Sequence, residues 1–255
     1  MIGAVVLVDL DDSLFQTRRK CSTPAAVDDL TVMAVSHAGE PVSFASRSQA
    51  AFLNWIMTTA IVIPVTGRSV DALRRVRLRH DLAVVAHGGV ILRGDSPCDL
   101  WQARTGPLAT RAVPELERIA QTLVAAAAKL NYAIRVRIVS ESGLPLYVVA
   151  KHDHPDGDDH ELHRVADSIA ATIAPDWTTH INGNNVAYLP PHLGKAAAVE
   201  ALLPELRAAH GGVPLIGLGD SLTDAGFMRL CDFSMMPNRS QLAGLLWRSI
   251  PESKP

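Results

Sequence analysis

Asp9 and Asp11 stand two residues apart, directly after an apolar, β-branched run over residues 4–8. At a strand end, side chains two apart face the same way. Two carboxylates so placed need a cation or a shared proton to coexist. One can attack phosphorus as a nucleophile while the other handles the proton of the leaving group. An acidic strand-to-loop turn that caps a helix has the same residues, and spacing does not separate the two.

Three further clusters fit the same chemistry. Gly219-Asp220-Ser221-Leu222-Thr223-Asp224 follows another apolar run. Its glycine permits a sharp exit, and Asp220 would then point to the same crevice as Asp9. Magnesium takes hard oxygen ligands, commonly one or two carboxylates with water and phosphate. Asp9, Asp220 and the main-chain carbonyl of Asp11 could supply the protein's share. The same residues also make an ordinary helix start. Thr66-Gly67 offers a hydroxyl and an amide at a helix start, where phosphate binds well; a plain N-cap threonine is the alternative. Lys195, in His192-Leu193-Gly194-Lys195, could neutralise phosphoryl oxygens in a transition state; a solvated surface lysine is the alternative.

These residues need a scaffold that gathers strand ends. Strands are expected over residues 4–8, 60–65, 82–86, 90–92 and 213–218, a hairpin over 30–46, and helices over 48–59, 70–79 and 195–210. Between them the texture changes. Residues 104–190 read helix, strand, strand, helix, strand, strand. The first helix puts Leu116, Ile119, Leu123, Val124, Ala127 and Leu130 on one face, and the second stacks Leu162, Val165, Ala166, Ile169 and Ile173. An antiparallel sheet with helices on one face follows. The expected fold is α/β, a Rossmann-like, doubly wound parallel-sheet core made of residues 1–103 and 191–255. An α+β cap, residues 104–190, is inserted in it. Ligands of such a core lie beyond the carboxyl ends of its strands.

The order Asp-x-Asp, Thr-Gly, Lys, Gly-Asp-x-x-x-Asp resembles the four-motif signature of the haloacid dehalogenase superfamily, across the whole chain. The αββαββ insert between the second and third motifs is similar to the large type-II cap of sucrose-phosphate, mannosyl-phosphoglycerate and Cof-type phosphatases and of phosphomannomutase. The Ala86-His87-Gly88-Gly89-Val90 turn resembles the Asn-Gly-Gly turn common before that cap, with His for Asn. The resemblance implies that Asp9 forms an aspartyl-phosphate. Asp11 would protonate the leaving oxygen and then activate water. Thr66, Gly67 and Lys195 would hold the phosphoryl group. Mg2+ would sit on Asp9, the Asp11 carbonyl and Asp220, with Ser221 and Asp224 in support. Three positions depart from the pattern: Asp12 for Gly or Asn, Ser13 for Thr, and Thr223 where many cap-bearing relatives carry an Asn that reaches phosphate.

The implied function is hydrolysis of a small phosphorylated metabolite, a sugar phosphate. The alternatives are a sugar phosphomutase and a relative that binds a phosphorylated ligand without turnover. Bulk composition is that of a globular chain able to bury a core. The chain of 255 residues is 48% hydrophobic and 20% charged, with a formal net charge of −2. It has no basic excess for nucleic acid or an anionic membrane. Its N-terminal apolar run is short and acidic-ended, a strand and not a signal peptide. No run reaches the ~18 apolar residues of a membrane span. Cys21, Cys98 and Cys231 are odd in number and far apart, which fits a reducing, cytoplasmic setting. Three features are read as structural. Arg68, Arg74, Arg75, Arg77 and Arg79 make a solvated helix face, with Arg68 the one nearest Thr66. Residues 151–163, with His152 and His154, make a polar cap loop turning at Pro155, Asp156 and Gly157. Residues 182–185 make a hairpin turn whose asparagines could meet sugar hydroxyls.

Overall fold

A computed structural model describes residues 2–21, 29–154 and 158–249. The chain divides into two compact units, Met1–Cys98 with Lys195–Pro255, and Asp99–Gly194.

The first unit is built on β1 (Ala4–Val8), whose last four residues are buried. A strand apolar at every position belongs in the middle of a parallel sheet covered on both faces. β1 lies between β4 (Ala60–Pro64) and β12 (Leu215–Leu218), with β13 (Phe233–Met235) beyond, in the order β13-β12-β1-β4. All three pairings are parallel, and Met235, Leu218, Val8 and Pro64 lie in one row. The strands therefore end level, and the chain leaves β4, β1 and β12 at the same edge. Two hydrogen bonds carry the row onward, from Asp9 N–H to Leu218 O and from Val65 N–H to Val8 O, both 2.8 Å. A bridge from Val65 to Val84 adds β5 (Leu82–Val85), which pairs with β6 (Val90–Arg93), itself paired with the short β7 (Ser96–Pro97).

The expected hairpin is present as β2 (Thr31–Val35) and β3 (Pro41–Ala45). α1 (Arg47–Thr59) starts at Ser46, capped by a reciprocal pair with Gln49. The helix expected over 70–79 is shorter: α2 ends at Arg74. Residues beyond it leave the helix to pair with β2, through a bridge from Val76 to Ala34 and a hydrogen bond from Arg77 N–H to Met33 O. Tertiary pairing overrides helix propensity there.

In the second unit α3 (Asp99–Leu130) and α4 (Asp159–Ile169) pack on a sheet of order β10-β11-β9-β8, antiparallel throughout. Its strands are β8 (Ile134–Glu141), β9 (Leu144–His152), β10 (Thr178–Ile181) and β11 (Val186–Leu189). Leu116, Ile119, Leu123 and Ala127 join Leu162, Val165, Ile169, Val148 and Tyr188 in one core. Val124 and Leu130, expected on the same face, are exposed. Val124 is turned about 100° from Leu123 on the helix, and Leu130 is the last residue of α3. No helix among the described residues is long and apolar enough to cross a membrane.

Candidate active site

Each expected site residue of the first unit sits just past a strand end or at a helix start. Asp9 leaves β1 and is 4% exposed. Its Oδ1 accepts from Lys195 Nζ at 2.6 Å, and its Oδ2 from Ser13 Oγ at 3.4 Å. Burial pushes the Asp9 carboxyl up; Lys195 opposes this, while Asp224, Asp220 and Asp11 reinforce it. Lys195 opens α5 (Lys195–Ala209) and is itself buried. Burial pulls its ammonium down, but Asp9 and Asp224 outweigh burial and keep it charged. The surface-lysine alternative is thereby excluded.

Asp220 leaves β12. Burial raises it to about 7, helped by Asp224 and Asp12 and opposed by Lys195 and Lys20. Asp224, in α6 (Leu222–Met228), is fully buried. It resists burial and is held low by the charge and hydrogen bond of Lys195 and by Ser221. Its Oδ2 accepts from Ser221 Oγ at 2.6 Å and Ser221 N–H at 3.0 Å. The helix-start reading of these residues thus holds together with the chemical one. Gly219 is required: a Cβ there would lie 2.4 Å from Asp224 Cβ.

Thr66 and Gly67 follow β4. Thr66 is 1% exposed, and its Oγ1 accepts from Arg68 N–H at 3.1 Å, which leaves the hydroxyl proton free to donate. A Cβ on Gly67 would lie 2.5 Å from the His87 ring. That ring is held by a turn in which Ala86 and His87 both have positive φ, 50° and 55°. Such backbone is costly for residues with a Cβ. Asp12 also has positive φ, 63°, which accounts for the Gly or Asn usual there; Asp tolerates that conformation.

Asp11 corrects one reading. Arg68 is not on a solvated face. Its Nε and Nη2 each donate to a different Asp11 oxygen at 2.7 Å. Its adjacency to Thr66-Gly67 was the one signal for this. Arg75 is only half-buried: Nη1 donates to Val35 O and Nη2 to the exposed Asp71.

The structure thus brings together, in one unit, Asp9, Thr66, Gly67, Lys195, Asp220, Ser221 and Asp224, while Asp11 lies on the loop beside them. The chain resembles three solved structures at low identity. Sucrose-phosphatase from Synechocystis sp., solved with sucrose and phosphate, is 15% identical, with TM-score 0.55, over 100% of this chain and 90% of that one. The C-terminal domain of C. albicans trehalose-6-phosphate phosphatase is 15% identical, with TM-score 0.56, over 89% and 73%. IMP-bound Plasmodium falciparum IMP-nucleotidase is 9% identical, with TM-score 0.52, over 97% and 68%. The chain shares the fold of these three proteins. No family model matches the chain, and no curated sequence does.

Within this fold, the acidic cluster suits a divalent cation. One carboxylate oxygen each of Asp9, Asp220 and Asp224 lie within 4.8 Å of one another. Fully ionised, these three buried carboxylates face the one ammonium of Lys195. Two negative charges remain, and oxygen donors are those magnesium prefers.

The other two features read as structural belong to the second unit. His152 Nε2 meets Glu161 at 3.0 Å and its Nδ1 accepts from His154 N–H at 3.1 Å, so both ring nitrogens are engaged. Asn184 Oδ1 accepts from His152 N–H at 2.6 Å, a turn contact. Pro155, Asp156 and Gly157 lie outside the described residues.

Proposed function

We propose that the chain is a magnesium-dependent phosphatase that hydrolyses a small phosphorylated metabolite, a sugar phosphate, through an aspartyl-phosphate on Asp9. One observation carries this reading. The level ends of β4, β1 and β12 set Thr66-Gly67, Asp9 and Asp220 side by side, with the Lys195 ammonium among them.

Asp9 attacks phosphorus; its carboxylate–phosphorus bond forms as the bond to the leaving oxygen breaks. Asp11 gives that oxygen a proton. It then takes a proton from a water that attacks the aspartyl-phosphate, and inorganic phosphate leaves with Asp9 restored. The Thr66 hydroxyl and Gly67 N–H donate to the phosphoryl oxygens, and Lys195 offsets their charge. Asp9, Asp220 and the main-chain oxygen of Asp11 would hold magnesium, which would supply further charge neutralisation when bound. Residues 104–190, with the rest of the inserted unit, are read as the cap that selects the leaving group and excludes water. The names of the similar proteins, two of them sugar-phosphate phosphatases, favour a sugar ester. The three cysteines, all free, accord with a cytoplasmic setting.

Phosphate release from nitrophenyl phosphate with magnesium tests this reading. Wild type should turn over and Asp9→Asn should not; equal rates would defeat it. A sugar-phosphate panel then separates hydrolysis from mutase transfer, since only hydrolysis frees phosphate. Competent residues at all four motifs argue against a binding-only relative.

A further inference from the structure

Arg68 is held more firmly than an incidental ion pair requires. Its Nη2 donates to Ser43 Oγ at 3.0 Å as well as to Asp11. Its guanidinium carbon lies over the Phe15 ring, 5.2 Å from the centroid. Its main-chain N–H donates to Thr66 Oγ1, and its carbonyl accepts from Ala86 N–H at 2.6 Å. Ser43 is 2% exposed. Every anchor is therefore a buried or main-chain group, and what the socket presents is a planar fork aimed at one carboxylate.

We infer that Arg68 is the positioning residue for Asp11: its fork fixes the plane of the carboxyl, and Ser43 and Phe15 fix the fork. This rests on the phosphatase reading above, in which Asp11 moves the proton. Each carboxylate oxygen offers two lone pairs. The fork uses one on each oxygen and leaves the other for a proton from water or toward a leaving group. The same Thr66-Gly67-Arg68 run that meets the phosphoryl oxygens thus sets the orientation of the proton carrier. A lysine cannot make two parallel contacts and should not substitute.

The test compares two esters: an alkyl phosphate, whose alkoxide needs a proton to leave, and nitrophenyl phosphate, whose phenolate leaves unaided. Arg68→Ala and Arg68→Lys should lower kcat on the alkyl ester by ~100-fold, with KM little changed and a much smaller loss on the aryl ester. In an Asp11→Asn background, Arg68→Ala should cost less than about 2-fold, because the two residues act as a unit. Ser43→Ala, a milder change that keeps the fork charged, should show the same leaving-group pattern at smaller size. If Arg68→Ala does not fold, Arg68→Lys and Ser43→Ala carry the test. Equal losses on both esters, an undiminished loss in the Asp11→Asn background, or a change in KM alone would overturn the inference. Wild type lacking turnover on both esters would overturn the phosphatase reading and this inference with it. Arg68 and Ser43 variants that match an active wild type would overturn the inference alone.

Discussion

Asp224 joins Lys195 to the turn that presents Asp220: one oxygen accepts from the ammonium at 2.7 Å, the other from Ser221 and, at 3.3 Å, from Asp220 N–H. It holds two halves of the site together without being the expected nucleophile or acid. Asp224→Ala leaves the Lys195 ammonium short of a partner in a buried place. A loss of about 3–5 kcal/mol in urea unfolding is expected, as for one partner removed from a buried pair. Asp224→Asn, which keeps the shape, should lose less stability and still slow turnover. Variants as stable as wild type would show that the link does not matter.

Gly67 and His87 form a second coupled pair. Gly67→Ala drives a methyl group into a buried ring and should cost about 1–3 kcal/mol, with turnover falling as the amide shifts. His87→Gly in that background removes the ring and suits the positive φ, so it should recover most of both losses. No recovery in a melting curve and a rate assay would refute the coupling.

The raised Asp220 makes stability depend on pH in a definite direction. Between its ordinary 3.8 and its folded value of about 7, the folded chain keeps a proton that the unfolded chain has shed. Stability therefore falls as pH rises through that window. Chelator-treated protein should melt lower at pH 8 than at pH 5. Asp220→Asn should flatten that fall; the comparison is needed because His192, lowered by burial, works the opposite way. Magnesium should raise the melting temperature, more at pH 8 than at pH 5, since it binds ionised carboxylates. A magnesium effect independent of pH would contradict the assignment of these ligands.

Gly219→Ala should behave like damage to Asp224. The added methyl meets Asp224 at 2.4 Å and pushes it from Lys195. Activity should drop by ~10-fold or more, the scale of a sub-ångström misplacement. A rate within experimental error of wild type would show that the turn gives way elsewhere.

The sequence carried the strand-end carboxylates because apolar runs followed by Asp are a local pattern. Asp9 and Asp220 are read from a few residues each, and the registers Val8–Leu218 and Val8–Pro64 do the rest. Arg68 was harder to see. Its neighbours Arg74, Arg75, Arg77 and Arg79 give the stretch the look of a solvated helix, and it is Asp11, Ser43 and Phe15, distant in sequence, that show otherwise. The end of α2 was hidden for the same reason, since Val76 leaves the helix for a partner on β2. Val124 shows a smaller limit: an apolar residue beside a stripe is not part of it.

The place of β1 between two partners has a consequence for how the chain assembles. Val5 pairs with Ile61 on one side and with Leu215 on the other. During synthesis the first strand must therefore wait for the far end of the polypeptide before its second edge is closed. Asp99–Gly194, by contrast, is one unbroken stretch whose core, among the described residues, draws on none outside it. Segments rich in such nearby pairings form faster than those closed by remote ones. The inserted unit is then the part able to fold on the ribosome while the parallel sheet still lacks a strand.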